Sequence, residues 1–110
     1  MKRLWLALLL LVASCGEGPS EPPPIAQYLD VSIANEEWPV RLSQRFPIGV
    51  PEATVLDTLQ SQGFTIDRPA RTAKAHWTKG ICEHDVDVTW KASDAGRITS
   101  IGGRYFPTCP

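Results

Sequence analysis

Three cysteines and two histidines carry most of the chemical potential of this 110-residue chain. Cys15 closes an apolar run near the start, while Cys82 and Cys109 bracket the last third. His76 lies upstream of the consecutive Glu83, His84 and Asp85, with Asp87 two positions further on. Imidazole and carboxylate are the donors of many metal sites. In an extended strand, however, neighbouring side chains point to opposite faces, so His84 points away from Asp85 and Asp87. The donors do not converge, no metal is assigned, and the group reads as a solvated acidic face with Asp87 paired to Arg104. No serine sits in a G-x-S-x-G setting. Gly102-Gly103 is too short and wrongly placed for a phosphate-cradling loop. No catalytic residue and no cofactor are therefore assigned, and the chain is expected not to be an enzyme.

The cysteine count is odd, which in an exported protein leaves one sulfur without a partner. The first residues, MKRLWLALLLLVAS, have a basic start at Lys2 and Arg3, an apolar stretch from Leu4 to Ala13 and small residues after it. That is the three-part layout of an export signal. A bilayer-spanning helix needs about 20 apolar residues, so the stretch is too short for a permanent anchor. Val12-Ala13-Ser14-Cys15 resembles the lipobox of bacterial lipoproteins, in which cleavage before the cysteine is followed by acylation of its sulfur and amine. The resemblance implies residues 1–14 as signal peptide, Cys15 as the lipid attachment site and the membrane as a partner. Gly16, in the position after the cysteine, implies delivery to the outer membrane, facing the periplasm. Several acyl chains together suffice for stable anchoring.

Residues 15–24 read as the lipidated cysteine and a spacer, because GEGPSEPPP has no apolar period and its prolines favour extended polyproline II. Such a spacer reaches at most about 30 Å. A single small domain is expected over residues 25–110. Without Lys2 and Arg3, nine of the 11 basic residues remain against 12 acidic ones, a formal charge of −3. That balance provides no basic footprint for nucleic acid.

Within the domain, residues 25–37 are open between helix and strand. Pro39 suits a first helical position, with Val40, Leu42 and Phe46 as buried contacts of a short helix ending before Pro47. Pro51 and Glu52 open a second helix whose stripe is Val55, Leu56 and Leu59, closed by Gly63 with Phe64 packing back. Residues 64–67 and 74–79 are candidate strands. From Asp85, polar residues alternate with Val86, Val88 and Trp90, the period of a half-buried strand. A turn about Asp94, Ala95 and Gly96 pairs residues whose numbers sum to 191. That register sets Cys82 against Cys109, Val86 against Tyr105, Val88 against Gly103, Trp90 against Ile101 and Asp87 against Arg104. A bulge at either glycine of Gly102-Gly103 would shift this register by one residue. The fold class is α+β, with two short helices packed on a three- to four-stranded antiparallel sheet that ends in a disulfide-closed hairpin. Of the aromatic residues Trp38, Trp77 and Trp90, Trp90 is expected in the core and Trp77 partly exposed.

PIGVPEATVLDTLQSQGF and VDVTWKASDAGRITSI resemble the helix and closing hairpin of the SmpA/OmlA (BamE-like) outer-membrane lipoproteins, over about residues 39 to 101. The resemblance implies a non-enzymatic accessory factor that assists outer-membrane assembly through contacts with a membrane-bound envelope protein. The alternative is a periplasmic ligand-binding or inhibitor module. A conserved concave patch favours the second reading and a flat exposed sheet the first.

Overall fold

The computed structural model describes residues 19–110, so the leader and Cys15 lie outside the described residues. Two helices, α1 (Ala34–Arg45) and α2 (Glu52–Ser61), precede four strands, β1 (Thr65–Asp67), β2 (Thr72–Lys79), β3 (Cys82–Ala92) and β4 (Ile98–Thr108). The sheet is antiparallel in the order β1-β2-β3-β4. This is the expected α+β class, with the sheet at its four-strand limit.

The start of α1 differs from expectation. It begins at Ala34, and Pro39 lies inside the helix. Ala34, Trp38 and Leu42 recur every four residues and are all buried, so one apolar stripe runs through the proline. Burial of that stripe outweighs the one main-chain bond that Pro39 cannot donate. Val40 falls on the opposite face and is 52% exposed, contrary to the expected buried contact. Leu42 and Phe46 are buried as expected.

The second helix matches its sequence. Pro51 precedes it in extended conformation, Glu52 sits in its first turn, Val55 and Leu59 are buried, and Leu56 packs partly against the core. Its end has two reverse bonds, Phe64 N–H to Leu59 O at 3.0 Å and Gly63 N–H to Gln60 O at 3.1 Å. Gly63 adopts a φ of +90°, which only glycine does without strain. Phe64 folds back into the core, as expected.

From Glu83–Thr108 to Lys91–Ser100, β3 and β4 pair with numbers summing to 191. The Cys82–Cys109 disulfide closes the open end of this hairpin. At the turn the sum is one lower: Ala92 pairs with Ile98, and Ser93 N–H bonds Arg97 O at 2.8 Å. The hairpin is thus centred on Ala95, and an irregularity beside Lys91 and Ala92 restores the expected register. It lies there and not at Gly102-Gly103. Gly103 has another role, since a Cβ on it would come within 2.1 Å of Asp87 O and 2.9 Å of Leu42 Cδ1. Its lack of a side chain is what lets α1 pack onto β4.

Trp38, Val55, Leu59, Ala73, Trp77, Val86, Val88, Trp90 and Tyr105 share one core. Lys74, His76, Asp85, Arg104 and Phe106 alternate with these strand residues, on the face without helices. The domain therefore has two layers, with one sheet face uncovered.

Candidate functional site

Proline at three consecutive positions predisposes residues 22–24 to a fixed, non-helical path. That path is tied to the domain at several points. Pro19 O accepts the Thr78 N–H at 3.0 Å, on the edge of β2 that the short β1 leaves open. Ile25 N–H donates to Gln62 Oε1 at 2.8 Å, and the Arg41 guanidinium donates to the carbonyls of Ile25 and Gln27. Residues 19–24, read from the sequence as spacer, are thus seated along the domain. A 3-10 turn at Pro24–Ala26 buries Ile25 and Ala26, and Asp30 caps a second one at Val31–Ile33 through the Ser32 N–H.

Between this strap and the sheet lies a cleft of about 410 Å³. Its floor is aromatic. Trp77 and His84 are directly paired across β2 and β3, with rings 5.2 Å apart and 4° from parallel. The Tyr105 ring lies 5.8 Å from His84, and its hydroxyl meets His84 Nδ1 at 2.5 Å. Leu29 and Val31 line one side, and Lys79 and Glu21 bring opposite charges. Tyr28 also borders the cleft, 92% exposed, with a φ of +63°. A left-handed backbone is uncommon for any residue but glycine, and Arg71, away from the cleft, shares it with a φ of +57°.

Burial holds the His84 pKa below its ordinary 6.5, with Lys79 adding repulsion of the imidazolium. Burial likewise raises the Tyr105 phenol. At neutral pH the pair is therefore an uncharged imidazole and phenol. A half-open space with a ring-lined floor and a mixed polar and apolar rim can admit a small molecule.

The remaining residues singled out in the sequence divide between the sheet faces as strand alternation requires. His76 Nδ1 lies 3.0 Å from Asp85 Oδ1 on the uncovered face, away from His84. Among the described residues, no group of three or more His, Cys, Asp or Glu side chains is placed to hold a metal ion. Asp87 does pair with Arg104, at 3.1 Å. It is not solvated as expected, being 8% exposed, because its carboxylate also accepts the Arg104 main-chain N–H at 2.8 Å. The main-chain oxygen of Asp87 accepts the Trp38 indole N–H at 2.9 Å, so this residue joins both layers. Lys74, Asp85, Asp87, Arg104 and Phe106 line a smaller depression of about 310 Å³ on that face. Trp77 corrects another expectation. It is 4% exposed and belongs to the core, since the strap covers it.

Sequence reasoning missed the cleft itself. Its sheet residues lie on three strands, and its outer wall is a segment without periodicity. The available signal was the burial of Trp77, His84 and Tyr105 on one face, which the register of β2 against β3 would have revealed.

No described helix is long and apolar enough to cross a membrane. No family model, no curated protein and no solved structure matches the chain.

Proposed function

We propose that this chain is a lipoprotein of the cell envelope, held at the outer membrane by lipid on Cys15 and facing the periplasm, that works by binding a small ligand and not by catalysis. The anchor part is supported by the sequence from Lys2 to Cys15. The binding part is carried by one observation: the cleft of about 410 Å³ over Trp77, His84 and Tyr105, bordered by the exposed and backbone-strained Tyr28. Its volume falls within the range of small-molecule sites.

Native mass spectrometry of the full chain released from envelopes tests this reading. A bound mass is expected on the wild type and is expected to disappear in Leu29→Trp, whose larger ring occupies the cleft. Absence of any bound mass, together with no envelope fraction that raises the melting temperature, rejects the ligand-binding reading.

A second reading is protein contact by an accessory factor, as the SmpA/OmlA resemblance implies. The uncovered sheet face favours it, where Arg104 lies 4.9 Å over the Phe106 ring and Phe106 is 42% exposed. Loss of a crosslinked envelope partner in Arg104→Glu, with the cleft intact, would move the weight to this face.

A further inference from the structure

The described chain begins beside the cleft. Pro19 is bonded to Thr78, and Glu21 and Pro22 line the cleft wall, so the described strap starts at the end of the sheet that carries Cys82–Cys109. Four residue steps separate Cys15 from Pro19, a span of at most about 14 Å of fully extended chain. This is less than half the reach expected of a spacer running to Pro24.

The same end carries a concentration of uncovered apolar side chains. Tyr28 is 92% exposed, Ile81 in the β2–β3 turn 74%, Val31 59% and Ile33, just before α1, 46%. That α1 starts at this end follows from the Asn35 side chain, which accepts the Tyr105 N–H at 3.0 Å. The other exposed large apolar residues stand apart from one another. Val40 lies on the outer side of α1, Phe106 on the uncovered sheet face, and Ile48 at the opposite end, beside Gly49, whose N–H bonds Ile98 O. Single apolar residues are ordinary on a protein surface, whereas a cluster marks a contact.

We infer that the disulfide-bearing end of the domain rests on the bilayer surface, with Tyr28, Val31 and Ile81 among the lipid headgroups and the cleft opening towards the membrane. This rests on the reading of Cys15 as the acylated residue, which fixes the tether length. Tyrosine and aliphatic side chains suit the boundary between headgroup and hydrocarbon. Around them, Glu21, Asp30 and Glu83 outnumber Lys79. The contact is therefore with zwitterionic lipid and not driven by attraction to anionic headgroups. A few exposed side chains suffice, because the short tether supplies a high effective concentration of membrane.

The experiment uses the full chain, purified from membranes, with acylation of Cys15 and the Cys82–Cys109 bond verified by intact mass. A polarity-sensitive fluorophore is attached in Tyr28→Cys, in Val31→Cys and, as a control, in Ile48→Cys. Each protein is reconstituted into phosphatidylcholine vesicles with and without spin-labelled lipid. At residues 28 and 31 the emission is expected to shift to the blue and to be quenched at least two-fold more than at residue 48. Acylated protein in which all three labels report water overturns the inference and leaves the anchor standing. Protein without acyl chains on Cys15 overturns the anchor and the inference together, and the mass measurement tells these failures apart. Circular dichroism identifies any label that disturbs the fold.

Discussion

The two ends of the sheet are built on different terms. At the hairpin end, polar groups are matched to one another. Glu52 accepts the Trp90 indole N–H at 2.8 Å and the Arg71 guanidinium at 2.7 Å, and Arg71 O in turn accepts the Trp90 main-chain N–H. Those donors hold the Glu52 carboxyl below its ordinary 4.5, the Arg71 bond first and the Trp90 bond second. Bonds from Gly49 and Ile98 to the facing strand and loop close the same end further. A left-handed backbone occurs at both ends, at Arg71 and at Tyr28, but at the disulfide end an aromatic floor is bridged by a strap and apolar side chains remain uncovered. The Cys82–Cys109 bond adds a covalent tie to the packing of Trp77 and Tyr105 at that end. Both ends are hydrogen-bonded, but the hairpin end is closed, while the disulfide end keeps an open cleft beside a covalent staple.

Tryptophan truncations make the strongest test of that contrast. Trp90→Ala is expected to cost about 3–5 kcal/mol, since the indole is buried and its loss removes one of the donors to Glu52, leaving Arg71. Trp77→Ala is expected to fall at or below the low end of that range, because water already has access to the cleft beside it. Equal losses in urea unfolding would erase the distinction between the two ends.

Removing the staple comes next. The pair Cys82→Ala and Cys109→Ala, 27 positions apart, is expected to cost about 3–4 kcal/mol on the chain-entropy account. Amide exchange should accelerate around residues 79–84 and 105–108 and remain unchanged at 93–97. Uniform acceleration would mean that the staple supports the whole domain and not one end.

At the hairpin end, Glu52→Gln is expected to cost about 1–2 kcal/mol, because a neutral amide accepts more weakly from Arg71 and Trp90. The smallest expected effect is a pH dependence confined to the disulfide end. His84 has a lowered folded pKa, so below pH 6.5 the unfolded chain takes up a proton that the folded chain resists. Stability is full above 6.5 and declines as pH falls from there towards the folded value. Glu52 contributes its own loss only below 4.5. His84→Phe should remove the upper decline and leave the lower one, as read by urea midpoints across pH.

How legible each end was follows from where its residues lie along the chain. Val86, Val88 and Trp90 alternate within one strand, and their partners to Tyr105 follow by counting, so the hairpin and its disulfide pairing could be read in advance. The second helix was legible because Pro51, Gly63 and Phe64 mark both of its ends. The first was misplaced because Pro39 is a strong local signal, overruled by burial of Ala34, Trp38 and Leu42. Asp87 looked like a surface charge by alternation alone, and only the folded chain shows its carboxylate accepting the Arg104 amide. The cleft was the least legible, since its wall depends on bonds such as Arg41 to Gln27 O and on a φ at Tyr28 that no residue type announces.

The most direct measurement is hydrogen–deuterium exchange of the full chain in its native membranes, compared with the same protein in detergent. Protection by the membrane environment is expected at residues 26–33 and 78–83, the strap and the β2–β3 turn, with no change at 93–97. Protection confined to the hairpin end, or to the uncovered face of β3 and β4, would contradict the assignment of binding to the cleft end.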